Sequence, residues 1–174
     1  NEVETNEKGY FVVSDIDLSP GVITLETEIQ DYPVIWHTIP WNVREPQPLR
    51  SFFVLEKDLI HESRSRIARV RREKGTGVIV GGADVSFFDK KPSCVSVSLL
   101  DADGKSVPEE KGPFPLSIMK KKTEPFCLTA QKPGFAYFNL PNGEYLLKWK
   151  GASGGLLRSH LIRVGVERVS VVVN

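Results

Sequence analysis

Gly134-Phe135-Ala136-Tyr137-Phe138-Asn139-Leu140-Pro141-Asn142-Gly143-Glu144-Tyr145-Leu146-Leu147-Lys148-Trp149 is the stretch whose pattern sets the fold. Phe135, Tyr137 and Phe138 are strong strand formers. Tyr145, Leu147 and Trp149 alternate with Glu144, Leu146 and Lys148, the period of two that leaves one face of a strand buried. Between them Leu140-Pro141-Asn142-Gly143 is turn chemistry, because proline presets φ and Asn-Gly accepts the positive φ of a reversal. The stretch predicts strand, tight turn and strand, with the two strands paired as a hairpin.

A weaker copy lies near the start. Thr5-Asn6-Glu7-Lys8-Gly9-Tyr10-Phe11 leads through Leu18-Ser19-Pro20-Gly21 into Val22-Ile23-Thr24-Leu25. Both copies place an aromatic soon after a Gly, then a Leu, a Pro-containing turn closed by Gly, and a strand. Two copies imply two related units and not a solenoid, which needs at least three. Val34-Ile35-Trp36-His37 and Ser51-Phe52-Phe53-Val54-Leu55 read as further strands of the first unit, with Pro40, Pro46 and Pro48 in the loop or edge between them.

These residues resemble the T-D-x-x-G-x-F and L-p-x-G-x-Y-x-L signature of carboxypeptidase regulatory-like domains. Such domains are transthyretin-like β-sandwiches that serve as accessory modules of secreted and surface proteins. The resemblance implies an all-β fold of tandem antiparallel β-sandwich modules, of the immunoglobulin or transthyretin kind. The expected division is a partial sandwich at 1–57, a short charged and helix-compatible connector at 58–76, and a complete seven-strand sandwich at 77–174. Only four residues precede the first copy, so that unit is expected to lack its early strands and to lean on the second or borrow a strand.

Length and charge bound the partners. The 174 residues fit one large or two small domains, each able to bury its own core. The 23 basic and 22 acidic groups give a net charge of +1, which points to no dominant polyanionic partner. No apolar run approaches the roughly 18 residues of a membrane span. In the connector, six Lys or Arg stand against two Glu between His61 and Lys74. Arg64, Arg66, Arg69, Arg71 and Arg72 are therefore candidates for a basic contact. The absence of interleaved aromatics disfavours nucleic acid and favours a solvated link between domains.

Several chemical motifs fail on their context. Gly75-Thr76-Gly77-Val78-Ile79-Val80-Gly81-Gly82 lacks the Gly-Lys-Ser/Thr ending of a phosphate loop and is expected to mark a tight bend at a domain entry. Asp101-Ala102-Asp103-Gly104 lacks the remaining ligands of a calcium loop and reads as a turn. His37, His61 and His160 are isolated from one another and from any nucleophile motif. Neither a cofactor nor a metal is called for, and the reading is of a non-enzyme.

Trp36, Trp41 and Trp149 are the candidate binding aromatics. They either form an exposed platform for glycan or peptide, or fill a sandwich core, the commoner fate of tryptophan in all-β proteins. Cys94 and Cys127 open two strands of the second unit and are either buried thiols or a disulfide, the latter in keeping with the extracytoplasmic habit of the resembled family. The function expected is a structural or protein-binding module of an extracytoplasmic or cell-surface assembly, partnered by other proteins or by neighbouring domains. The alternative is a glycan- or substrate-binding accessory domain of a secreted enzyme.

Overall fold

A computed structural model describes residues 21–28, 33–41, 57–82, 94–116, 127–129 and 134–173, together with Glu4 and Glu7. Most of the first copy's Thr5-to-Phe11 segment and the expected strand at 51–55 lie outside the described residues. Nine strands are described: β1 (Gly21–Thr27), β2 (Ile35–Trp41), β3 (Gly77–Gly82), β4 (Ser96–Leu100), β5 (Phe114–Pro115), β6 (Gly134–Leu140), β7 (Gly143–Lys150), β8 (Leu156–Val164) and β9 (Val169–Val173). Between β2 and β3 lies the helix α1 (Lys57–Glu62), continued by a π-helical turn, Ser63–Ala68.

The strands form two sheets. One has six strands in the order β1-β2-β9-β3-β6-β5, and the other has three, β4-β7-β8. Within the large sheet β9 runs parallel to both β2 and β3, and the other neighbours are antiparallel. The sheets enclose a core of Ile79, Val97, Leu99, Phe135, Tyr137, Leu147, Trp149, Ile162 and neighbours. Burying side chains of this size is worth about 1.5–3 kcal/mol each, so this layer dominates the stability. Phe135 and Trp149 meet edge to face across it, centroids 5.5 Å apart.

The other face of the large sheet is covered as well. Val78 and Val80 of β3, Ala136 and Phe138 of β6, and Val169 and Val171 of β9 pack with Ile35 and Ile60, and with Ala68, Val70, Phe114 and Leu116 at the margin. The chain therefore stacks helix on sheet on sheet. Residues 57–70 are a covering layer more than a solvated tether: Ile60 is 7% exposed and Ser63 is 0% exposed. Ser63 donates its hydroxyl to the carbonyl of Pro115 at 3.1 Å, tying the helix to β5. Two-sided burial also explains why β3, β6 and β9 read as nearly unbroken apolar runs.

That arrangement corrects the hairpin expected at 134–149. The chain does reverse there, but β6 belongs to the large sheet and β7 to the small one, so the two strands face each other across the core instead of pairing. The positive φ falls at Asn139, at 55°, and not at Asn142 or Gly143. Asn139 is buried, and its side chain holds the chain that follows the helix. Nδ2 donates to the carbonyl of Arg71 at 2.8 Å and Oδ1 accepts from the amide of Glu73 at 3.3 Å. Asn tolerates the left-handed region better than other branched or bulky residues, which suits it to this corner. Tyr145 closes the reversal by donating its hydroxyl to the carbonyl of Pro141 at 2.9 Å.

The glycines of 77–82 are likewise not a bend but a strand in the interior of the large sheet. Gly81 pairs with Phe135, whose ring lies where a β-carbon at Gly81 would stand. Asp101 acts as a turn residue: Oδ1 accepts from the amides of Asp103 at 3.0 Å and Lys105 at 2.8 Å. At the N-terminal side, β1 and β2 do not stand apart from the second unit. They extend its sheet through β9, and Thr38 Oγ1 accepts the amide of Arg163 on β8 at 3.2 Å, bridging to the small sheet.

Two outcomes follow for stability. Gly81→Ala drives a methyl into the Phe135 ring, which also packs edge to face with Trp149, and should lower unfolding stability by about 1–3 kcal/mol in a urea titration. Cys94 and Cys127 are bridged, with Cα atoms 5.3 Å apart and 33 positions between them in sequence. Replacing both by Ala should cost roughly 2–4 kcal/mol, read the same way, because the unfolded chain regains the freedom of that loop.

Candidate functional site

The helix layer does not lie flat along the whole sheet. Where α1 and the π-helical turn pass the start of β9, a cleft of about 310 Å³ opens. Its apolar side is made by Pro33, Ile60, Val78 and Val169, and its polar side includes His61, Arg64, Arg72, Glu167 and Arg168. Three separate stretches of sequence meet here, so neither the volume nor its lining is visible in any one segment.

Local backbone geometry places the arginines. The π-helical turn ends at Arg69, whose φ of 56° breaks the helix, and the carbonyl of Arg64 accepts from the amides of both Arg69 and Val70. This fixes Arg64 on the sheet side of the helix, its guanidinium carbon 5.0 Å from the centroid of the Phe138 ring. The Asn139 clamp then holds residues 71–73 and brings Arg72 round to the same cleft. Arg72 pairs with Glu167, and Arg168 donates to Glu26 Oε2 at 2.9 Å. Arg64 has no carboxylate partner among the described residues, and its Nε–H is enclosed without an acceptor. Burial, and then the neighbouring Arg72 charge, hold the Arg64 guanidinium below its usual range.

The five connector arginines thus divide. Arg64 and Arg72 share the cleft, Arg66 pairs with Glu62 one turn away at 2.9 Å, Arg69 supplies the helix-ending backbone, and Arg71 contributes its carbonyl to Asn139. They do not form one basic face. Arg168 joins the cleft without having been singled out in sequence, and His61, read there as an isolated histidine, joins it as well, since only the fold carries 168 to 61.

Trp36 and Trp149 do not form a platform. Trp149 is 0% exposed, at the centre of the sandwich core, so its reading as a binding aromatic is corrected by its burial. Trp36 is half-buried, with its ring against Gly165 and its indole N–H donating to Glu26 Oε2 at 2.5 Å. That bond, followed by the Arg168 contact, holds the Glu26 carboxyl below its ordinary range in spite of its partial desolvation. Trp41 contributes backbone to β2, opposite Gly21, and its side chain lies outside the described residues. No group of three or more metal-ligating side chains is gathered among the described residues, and no helix among them is long and apolar enough to cross a membrane.

One ionisable group at the junction of the two stretches is buried. His37 on β2 pairs with Leu25 of β1 and Val171 of β9, and burial pushes its pKa from 6.5 down to about 4. Between those values the unfolded chain binds a proton that the folded chain refuses. The contribution is therefore fully present above pH 6.5 and is lost as pH falls toward 4, at about 1.4 kcal/mol per pH unit. Urea midpoints measured at pH 7 and pH 5 should fall more for the native chain than for His37→Leu, and equal falls would contradict the assignment.

No family model, no curated protein and no solved structure matches this chain.

Proposed function

We propose that this chain is a non-catalytic structural or protein-binding module of a larger extracytoplasmic or cell-surface assembly. On this reading a carboxypeptidase regulatory-like sandwich at 77–174 carries an incomplete tandem copy at 1–57, docked through the connector at 58–76. The observation that carries it is the route by which the N-terminal stretch attaches. Its hairpin adds to the large sheet by parallel pairing of β2 with β9, the same main-chain recognition by which sheet edges take up strands of partner proteins. Among the described strands β1 then stands at the end of the sheet, and an end strand is a template for the next addition.

Two further features support the reading. The motif aromatics Phe135, Tyr137, Tyr145 and Trp149 are all spent on the core, as in a sequence signature that specifies a fold and carries no chemistry. The bridge between Cys94 and Cys127 suits an oxidising compartment. The alternative, a glycan-binding accessory domain, is disfavoured by the burial of Trp149 and the tethering of Trp36.

Placing a photo-reactive residue at Thr27 on β1, and separately at Asp103 on an exposed turn, tests this in cells that make this protein. Protein adducts are expected from the first position and not from the second. Absence of any protein adduct from β1, or selective binding on a glycan array that Trp36→Ala abolishes, would count against the module reading.

A further inference from the structure

We propose that the cleft between the π-helical turn and the start of β9 is a binding site for a carboxylate carried on an apolar body, held by Arg64 and Arg72. The inference does not depend on the module reading above; it rests on the composition of the cleft walls.

The first argument is charge. Arg64 is packed against Phe138, without a carboxylate among the described residues and with its Nε–H lacking an acceptor. A guanidinium partly withdrawn from water, with its Nε–H enclosed, needs a counter-charge or hydrogen-bond acceptors to offset the hydration it loses, and the face of one aromatic ring supplies only part of this. Arg72 adds a second guanidinium to the same cleft, near enough to act on Arg64, and among the described residues Glu167 alone answers it. Bringing two like charges together is unfavourable unless something between them is negative.

The second argument is shape and donor supply. The opposite wall is Pro33, Ile60, Val78 and Val169, which offers an apolar body somewhere to go. Guanidinium forks match the planar two-oxygen edge of a carboxylate. A phosphate would ask for more donors, and apart from His61 the remaining polar side chains of the cleft are already engaged. Arg168 is held by Glu26, and the Thr76 hydroxyl donates to the carbonyl of Glu73 at 2.6 Å. A role for Arg64 as a mere cap on Phe138 would explain its ring contact but not the approach of Arg72.

Hexanoate and N-acetyl-leucine, titrated into the whole chain at fixed ionic strength, test the site by the Nε–H signals of arginine in NMR. Both acids should move the Arg64 signal in a saturable way, and the tighter of the two names the source, a free aliphatic acid or the end of a peptide. Arg64→Gln and Arg72→Gln should each weaken binding about tenfold or more, as expected for loss of a charge-assisted pair. Arg66→Gln, whose partner is Glu62, should leave it unchanged. Arg72 is largely exposed, so its variant stays informative even if Arg64→Gln unfolds the chain. The proposal is overturned if neither acid gives saturable shifts, if binding survives Arg72→Gln, or if inorganic phosphate binds as tightly as hexanoate.

Discussion

Everything described here hangs on the two parallel ladders of β9. On one side it pairs with β3, from Val78 opposite Val169 to Gly82 opposite Val173, and on the other with β2, from Ile35 opposite Val169 to His37 opposite Val171. A parallel strand lies in the interior of a sheet and needs both faces covered, because its ladder is weaker per residue and its crossovers place other elements above and below. That need is met on one face by the small sheet and on the other by α1 and its π-helical turn. Remove β9 and the N-terminal hairpin has no sheet to join, while Val78 and Ile60 lose a common neighbour.

The same constraint accounts for what sequence could and could not reveal. Strand content, the reversal after Leu140 and the turn at Asp101 are local, and period-two patterning with turn chemistry is enough to read them. The partner of each strand is not local. Residues 134–140 carry apolar side chains on both faces, which marks an interior strand as plainly as a hairpin arm, and Leu140-Pro141-Asn142-Gly143 serves an arch between sheets as well as a hairpin. Gly81 shows the limit from another side. Its value lies in the Phe135 ring that crosses it, a contact between positions 54 apart.

The cleft was legible only in part. Charge density marked residues 64–72, yet five arginines in nine positions look alike in a string, and it is the helix break at Arg69 and the Asn139 clamp that send two of them to one place. Its acidic and apolar components come from 167–169, 78 and 33, which no spacing rule connects. The tryptophans were the opposite case, since residue type invited a platform and burial assigned Trp149 to the core instead.

The position of β9 also bears on how the chain is made. Synthesis runs from the N-terminus, and β2 and β3, the strands that β9 separates, are complete more than eighty residues before Val169 appears. Until then both edges stand open with main-chain donors and acceptors unpaired, and β2 and β3 are kept apart from the neighbour they share. Such long-range parallel closure is slow compared with local pairing, and it leaves apolar edges exposed to other nascent chains meanwhile. The topology thus makes the sheet a late closure: the last described strand has to enter between two that were made long before it.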